Sequence, residues 1–363
     1  MVEAAAAVAA CAWLYLALLH GRFWRVGPLL KPPPPLTRHE ARVAVIVPAR
    51  NEAATIGRTV ASLAAQDCPG SLHIWVVDDS SMDETAALAR EAGQDVVTVV
   101  SAPPLPQGWT GKLWALSRGL EQALKEQPDY LLFTDADIEH ACDSIRGLVA
   151  RAEAGGFDLV SIMVKLHCAS AAERLLIPAF VFFFFMLYPP AWGTGAAGGC
   201  VLIRPEALRR MGGIEAIRGE LIDDCALAAA VKRTGGRLWL GLSDRTHSIR
   251  PYPRFSDIRQ MIARTAFTQL RYSAALLAGT VAGMFLLYML PVVAAFRGSV
   301  FGTAAWLLMA ALYVPLVRFY GQPVWTAALL PFAGLFHTAA TVESAVRYWT
   351  GRGGAWKGRH QAA

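Results

Sequence analysis

Residues 43–79 read VAVIVPARNEAATIGRTVASLAAQDCPGSLHIWVVDD. VAVIV (43–47) and LHIWVV (72–77) are uncharged runs rich in β-branched residues, the composition of strands. Between them, residues 53–66 predict a helix. The alternation continues with a helix over 83–92, a strand DVVTVV (95–100), a helix from about Lys112 to Glu126 and a strand YLLF (130–133). Ser81 and Glu84 have the Ser-x-x-Glu spacing of a capping box for the helix at 83–92. Near-continuous apolar strands alternating with helices predict an α/β fold whose parallel sheet is covered on both faces. In such sheets ligands bind beyond the carboxyl ends of the strands. Polar clusters stand at three of those ends: PARNE after the first strand, DDSS after the second and TDAD after the fourth.

Charge is scarce outside this region. Of the 363 residues 55% are hydrophobic and 17% charged, where a soluble chain carries roughly 25% charged residues. The shortage sits at the two ends of the chain, as in a membrane protein with a water-soluble middle. AAAAVAACAWLYLALL (4–19) is just short of the ~20 residues that cross a bilayer. Arg22, Arg25 and Lys31 follow it, which places the N-terminus outside and the next domain in the cytoplasm. KPPPPL (31–36) reads as a stiff linker. Further apolar segments cover about 274–296, 300–317 and 324–346, the last interrupted by Pro331, His337 and Glu343. Two or three of these cross. Three crossings would put the basic tail outside, against the positive-inside tendency.

LLIPAFVFFFFMLYPPAW (175–192) is apolar enough to span. A crossing there would separate the strand-end acids from the acids at 223–224, so it is expected to lie at the interface with its aromatics at headgroup depth. An ordinary buried helix is the alternative.

The formal net charge is +6, and residues 204–271 alone hold 13 Lys/Arg against 7 Asp/Glu. Beside membrane segments this suits anionic headgroups or a phosphate-bearing substrate, and not nucleic acid. The six cysteines are scattered, with no C-x-x-C, and predict reduced thiols in a cytoplasmic domain.

The chemistry-bearing residues fall into four groups. Asp135 and Asp137 in FTDADIE (133–139), two apart on an extended chain, can grip one hard cation such as Mg²⁺ or Mn²⁺. They are equally at home as turn formers. Asp78 and Asp79 could accept hydrogen bonds from a ribose or a base, or simply lead into a helix N-cap. Arg50 and Glu52 stand at the mouth of the first strand, as site residues or as solvated loop charges. Asp223 and Asp224 head an apolar helix, either for the helix dipole or as a general base for an acceptor hydroxyl. Upstream, GTGAAGGC (193–200) is a glycine-rich loop suited to close backbone approach. GWTGK (108–112) is not a Walker loop: Pro106 stands where a Gly is required and Leu113 where a Ser or Thr is required. Lys112 can still reach a phosphate.

Taken in order, VAVIVPARNEAATIGRTVASLAAQ, HIWVVDDSSMDETAALAREAG, FTDADI, GGCVLIRPEAL and IDDCALAAAVKRTGG resemble a family 2 glycosyltransferase of the GT-A fold, over about residues 43–272. The resemblance implies inverting transfer of a sugar from a nucleotide sugar, a UDP-sugar by family expectation, with a divalent metal. It places Pro48, Arg50, Glu52, Asp78, Asp79 and Lys112 around the nucleotide sugar, Asp135 and Asp137 on metal and diphosphate, and Asp224, with Asp223 beside it, as the base. Gly198, Gly199 and Cys200 are candidates for the acceptor side. Processive members carry Gln-x-x-Arg-Trp after the base; here TQLRY keeps Arg271 but has Thr268 and Tyr272. That implies a single transfer, with Arg271 holding the leaving diphosphate. LPQGWTGKLWAL (105–116), FVFFFFMLYPPAW (180–192) and FTQLRYS (267–273) are similar to the hopanoid-biosynthesis-associated subgroup. That implies a multi-pass enzyme of the bacterial inner membrane acting on a hopanoid or related polyprenoid lipid.

The expected division is an anchor and linker at 1–36, a GT-A catalytic domain at 37–272, transmembrane segments at 273–347 and a basic tail at 348–363. Two other functions remain open at this point: a polyprenyl-phosphate sugar synthase or other glycolipid synthase, and an inactive scaffold that binds lipid or nucleotide.

Overall fold

The computed structural model describes residues 1–31, 41–68, 70–353, 355–356 and 359–360. Beyond Lys31 the proline linker lies outside the described residues, as does much of the basic tail. The chain divides into two compact units, each described by itself below. One holds residues 27–166, 193–250 and 356–363; the other holds 1–26, 167–192 and 251–355.

The first unit is built on an eight-stranded sheet. Its centre is β1 (Val43–Ala49), all seven residues of which are buried. β2 (Leu72–Asp78) and β4 (Tyr130–Thr134) flank it in parallel, and β3 (Val97–Ser101) adds in parallel outside β2. Side chains of β1 alternate between two apolar layers. Val43, Val45 and Val47 pack with the helix Ile56–Ala64, while Ala44 and Ile46 pack with the helix Gly111–Ala123. Gly119 allows that second contact, because a Cβ there would come within 2.5 Å of Ile46 Cγ2. Pro48 sits in this central strand without disrupting it: the β4 ladder ends at Ile46–Phe133, so no partner on that side needs its missing N–H.

The parallel arrangement holds for only half of the sheet. Beyond β4 come β7 (Cys200–Ile203), antiparallel to it, and β6 (Leu159–Lys165), antiparallel to β7. β8 (Leu238–Ser248) runs parallel to β6, and the three-residue β5 (Ile138–His140) closes the edge antiparallel to β8. The full order is β3-β2-β1-β4-β7-β6-β8-β5. The sheet is therefore mixed, not wholly parallel.

The second unit is helical. Four of its helices are long and apolar enough to cross a membrane: Ala171–Trp192, Ala274–Phe296, Val300–Phe319 and Val324–Trp349. Val2–Leu18 is a shorter apolar helix. In Ala274–Phe296 a π turn at Phe285–Met289 precedes Pro291. Proline has no N–H to offer the carbonyl four residues back, and the indole of the fully buried Trp13 donates to that carbonyl, Leu287 O, at 2.9 Å. The aromatic run at 180–192 is a member of this helical packing. Phe182 meets Phe23 and Tyr313, and Phe183 meets Tyr288 and His337.

Candidate active site

The loops after β1 and β2 are knitted together. Asn51 and Ser80 take left-handed backbone angles, φ 51° and 56°. This lets the Asn51 side chain accept from Met82 N–H (2.8 Å) while its own N–H donates to Ser81 Oγ (3.0 Å). Glu52 N–H donates to Thr85 Oγ1 at 2.8 Å. The capping box expected at Ser81 is therefore absent, because the Ser81 hydroxyl is used by the neighbouring loop. The helix begins at Thr85, whose N–H is taken by Asp83 at 3.1 Å. Asp79 is fully buried, with the guanidinium of Arg50 3.8 Å from its carboxylate, so Arg50 is no solvated loop charge. Asp78 accepts Ser81 N–H at 3.2 Å.

Two cations organise the acids. Lys112, in the first turn of Gly111–Ala123, puts Nζ 2.9 Å from Asp135 and 3.0 Å from Asp223, the first residue of the helix Asp223–Arg233. Arg250, just past β8, puts Nε 2.5 Å from Asp137 and Nη2 2.7 and 2.5 Å from the two oxygens of Glu52. Burial alone would depress Lys112, but the carboxylates of Asp135 and Asp223 outweigh it and hold the ammonium well above its usual range. Arg250 is likewise raised, as Asp137 and Glu52 overcome its desolvation. Asp135 is raised by burial, with Asp137 and Asp223 opposing the help of Lys112.

Among the described residues, no cation pairs directly with Asp224. Burial and then Asp223 push it up to about 6, tempered by Lys112 and by the N–H groups of Cys225 and Gly198. A Cβ on Gly198 would stand 3.2 Å from Asp224 Oδ2 and 3.4 Å from Lys112 Nζ. Glycine thus keeps a narrow approach to both groups open. Pro48, Lys112, Thr134, Asp135, Gly198, Asp223 and Asp224 line one cleft, floored by Leu113, Leu116 and Phe133.

Five carboxylates (Glu52, Asp135, Asp137, Asp223, Asp224) thus face two cations, an excess of negative charge on hard oxygen donors that suits Mg²⁺ or Mn²⁺. Among the described residues no three His, Cys, Asp or Glu side chains close on one position. Asp135 and Asp137 hold different cations, so an ion taken here needs ligand oxygens to complete its shell.

Of the three glycine-loop candidates, Gly198 lies against these acids. Gly199 accepts the Thr134 hydroxyl through its carbonyl (2.8 Å), and Cys200 is a core residue whose thiol burial pushes up. Arg271 belongs to the helical unit, exposed on a turn with φ 51°. Arg250 was not anticipated. Its partners are 113 and 198 residues away, and only a basic residue following β8 marks it in the sequence.

Residues 44–212, a little under half of the chain, match the family described as Glycosyl transferase family 2. A 4,4'-diaponeurosporenoate glycosyltransferase of Staphylococcus haemolyticus (strain JCSC1435) is 35% identical over 118 residues, covering 31% of this chain and 30% of that protein. The protein of the same description from Staphylococcus aureus (strain MRSA252) is 37% identical over 100 residues, 28% of this chain and 24% of its own. The chain thus spans less than a third of the length of these curated relatives. Among solved structures, the mannosyltransferase PcManGT from Pyrobaculum calidifontis, in complex with GDP-Man and Mn²⁺, superimposes with a TM-score of 0.56 at 21% identity, covering 96% of this chain and 99% of that one. The fold is of the GT-A type, with four helices apolar enough to span a membrane.

Proposed function

We propose that the chain is a membrane-associated family 2 glycosyltransferase that moves one sugar from a nucleotide-diphosphate sugar to the hydroxyl of a lipid acceptor. The observation that carries this reading is the meeting of Asp224, Asp223, Lys112, Asp135 and Gly198 in one cleft at the carboxyl edge of the sheet. The lipid acceptor is supported by the apolar helices and by the acceptor in the relatives' name. A hopanoid or related polyprenoid is the finer assignment, in a bacterial inner membrane with the site on the cytoplasmic side.

In this reading Asp224 takes the acceptor's hydroxyl proton as the oxygen attacks the anomeric carbon. The bond from that carbon to the diphosphate oxygen breaks, and the nucleoside diphosphate leaves from the opposite face. A single displacement inverts the anomeric centre. Pro48, Arg50, Asp78 and Asp79 border the nucleotide, and Lys112 meets the negative charge of the departing diphosphate. Asp135 and Asp137 would hold the divalent ion, which supplies further charge neutralisation to the diphosphate when bound.

A base must be ionised to accept a proton. With Asp224 near 6, kcat/KM should fall about tenfold per pH unit below that value and level off above it. Nucleoside diphosphate release by the full chain, with a nucleotide sugar and a lipid extract, measures this. Release that is independent of lipid, or flat from pH 5 to 8, would count against the assignment.

A further inference from the structure

The helical unit has two distinguishable ends. At one, Glu3 meets the Ser299 side chain at the start of Val300–Phe319. At the other, the rings of Tyr272 and Tyr348 stack with centroids 4.4 Å apart and planes 22° from parallel. Phe267 lies against Tyr272, Tyr348 and Trp349 at 5.8, 5.6 and 5.4 Å. Between the ends, a Cβ on Gly334 would sit 3.2 Å from the ring of Tyr288. The pairs 272–348 and 288–334 make residues 274–289 antiparallel to residues 334–348.

This decides how often the chain can cross. Ala274–Phe296 has 23 residues, about 34 Å of helix, so residue 299 stands a bilayer's thickness from residue 272. Two more crossings in series would leave residue 348 at the far end with residue 299. Instead its ring touches Tyr272. Val300–Phe319 and Val324–Trp349 therefore supply one net crossing between them.

The shared end is also basic. Arg264, Arg271 and Arg352 are exposed and Arg347 is half-buried, while the nearby acid, Glu343, is held by Arg259 (2.9 Å) and Arg347 (2.5 Å). Arg271 and Tyr272 are consecutive left-handed residues (φ 51° and 56°), a costly turn kept by the N–H of Arg271 to Thr268 O and of Tyr272 to Phe267 O. The turn seats Tyr272 on Tyr348 and leaves Arg271 outside.

We propose that this end is a collar for the phosphates of anionic phospholipid headgroups, and that residues 273–349 enter and leave the bilayer on that one face. The inference rests on the membrane reading above. Tyr and Trp favour the headgroup level, arginine forks match phosphate oxygens, and the excess of positive charge selects an anionic leaflet.

Two measurements on the full chain test it. First, a protease recognition sequence is inserted after Gly298 or after Gly353, and sealed vesicles are treated with protease from outside. Cleavage at one position and protection at the other is expected; the same outcome at both would overturn the single-face entry. Release of the chain from membranes by alkaline washing would overturn the membrane reading itself, and this inference with it. Second, Tm is compared in discs of phosphatidylcholine with and without phosphatidylglycerol. The anionic lipid should raise the wild type by about 4 °C and leave Arg264→Glu/Arg352→Glu unmoved. Equal Tm values in pure phosphatidylcholine show that the variant is folded, and an equal rise with phosphatidylglycerol would overturn the collar.

Discussion

Asp224→Asn is expected to slow sugar transfer by about 10²–10⁴-fold, the span of a lost general base, and at the same time to stabilise the fold. The two effects have one origin. Burial and Asp223 raise Asp224 to about 6, against an unfolded value near 3.9. Between pH 4 and pH 6 the unfolded chain gives up this proton while the folded chain keeps it. Stability therefore falls as pH rises through that window, by about 3 kcal/mol at neutral pH. An amide never ionises and escapes the loss, while the N–H of Cys225, which donates to Asp224 Oδ1 at 2.7 Å, still finds a carbonyl oxygen. Rate assays and thermal unfolding at pH 7.5 should show activity down, Tm up and donor affinity nearly unchanged. Substantial retained activity would instead point to an acceptor already ionised, such as a polyprenyl phosphate, which needs no base.

Arg250→Met should destabilise the sheet unit by about 3–5 kcal/mol, the cost of leaving buried charge without its partner. Methionine keeps the apolar stem but removes the guanidinium that joins Glu52 to Asp137. Those residues are 8% and 9% exposed, so water replaces it poorly. In a chain of this size the drop amounts to roughly 10 °C in Tm. Arg250→Met/Glu52→Gln should recover part of it, since one of the two carboxylates that Arg250 neutralises is gone. If Arg250→Met unfolds at the wild-type temperature, the bridge contributes nothing and Glu52 and Asp137 are held by other means.

What could be read in advance follows from how locally each feature is encoded. The four parallel strands were visible because burial on both faces demands runs such as VAVIV and LHIWVV. The acids at their ends, and those heading Asp223–Arg233, were visible because a strand end and a helix start are marked by neighbouring residues. The antiparallel half was not: β5 has three residues and β7 four, too short to show alternation. The Ser81 capping box satisfied every local rule and still failed, because a residue 30 positions earlier takes the hydroxyl. Arg250 carries no local mark of its role, because its partners lie 113 and 198 residues away. The aromatic run 180–192 is apolar on every side, so periodicity carries no sign of which rings it meets: Phe23, Tyr288 and Tyr313.

Sugar transfer to a membrane lipid is proposed for the cleft between Asp224, Lys112 and Asp135. Its most direct test uses membranes holding wild type or Asp137→Ala, incubated with a panel of nucleotide sugars and a divalent cation, with every lipid weighed by mass spectrometry. Wild type should yield one lipid that gains the mass of a single hexose-type unit, and Asp137→Ala little or none of it. The same glycolipid in equal amount from both membranes, or no lipid of increased mass from either, would contradict it.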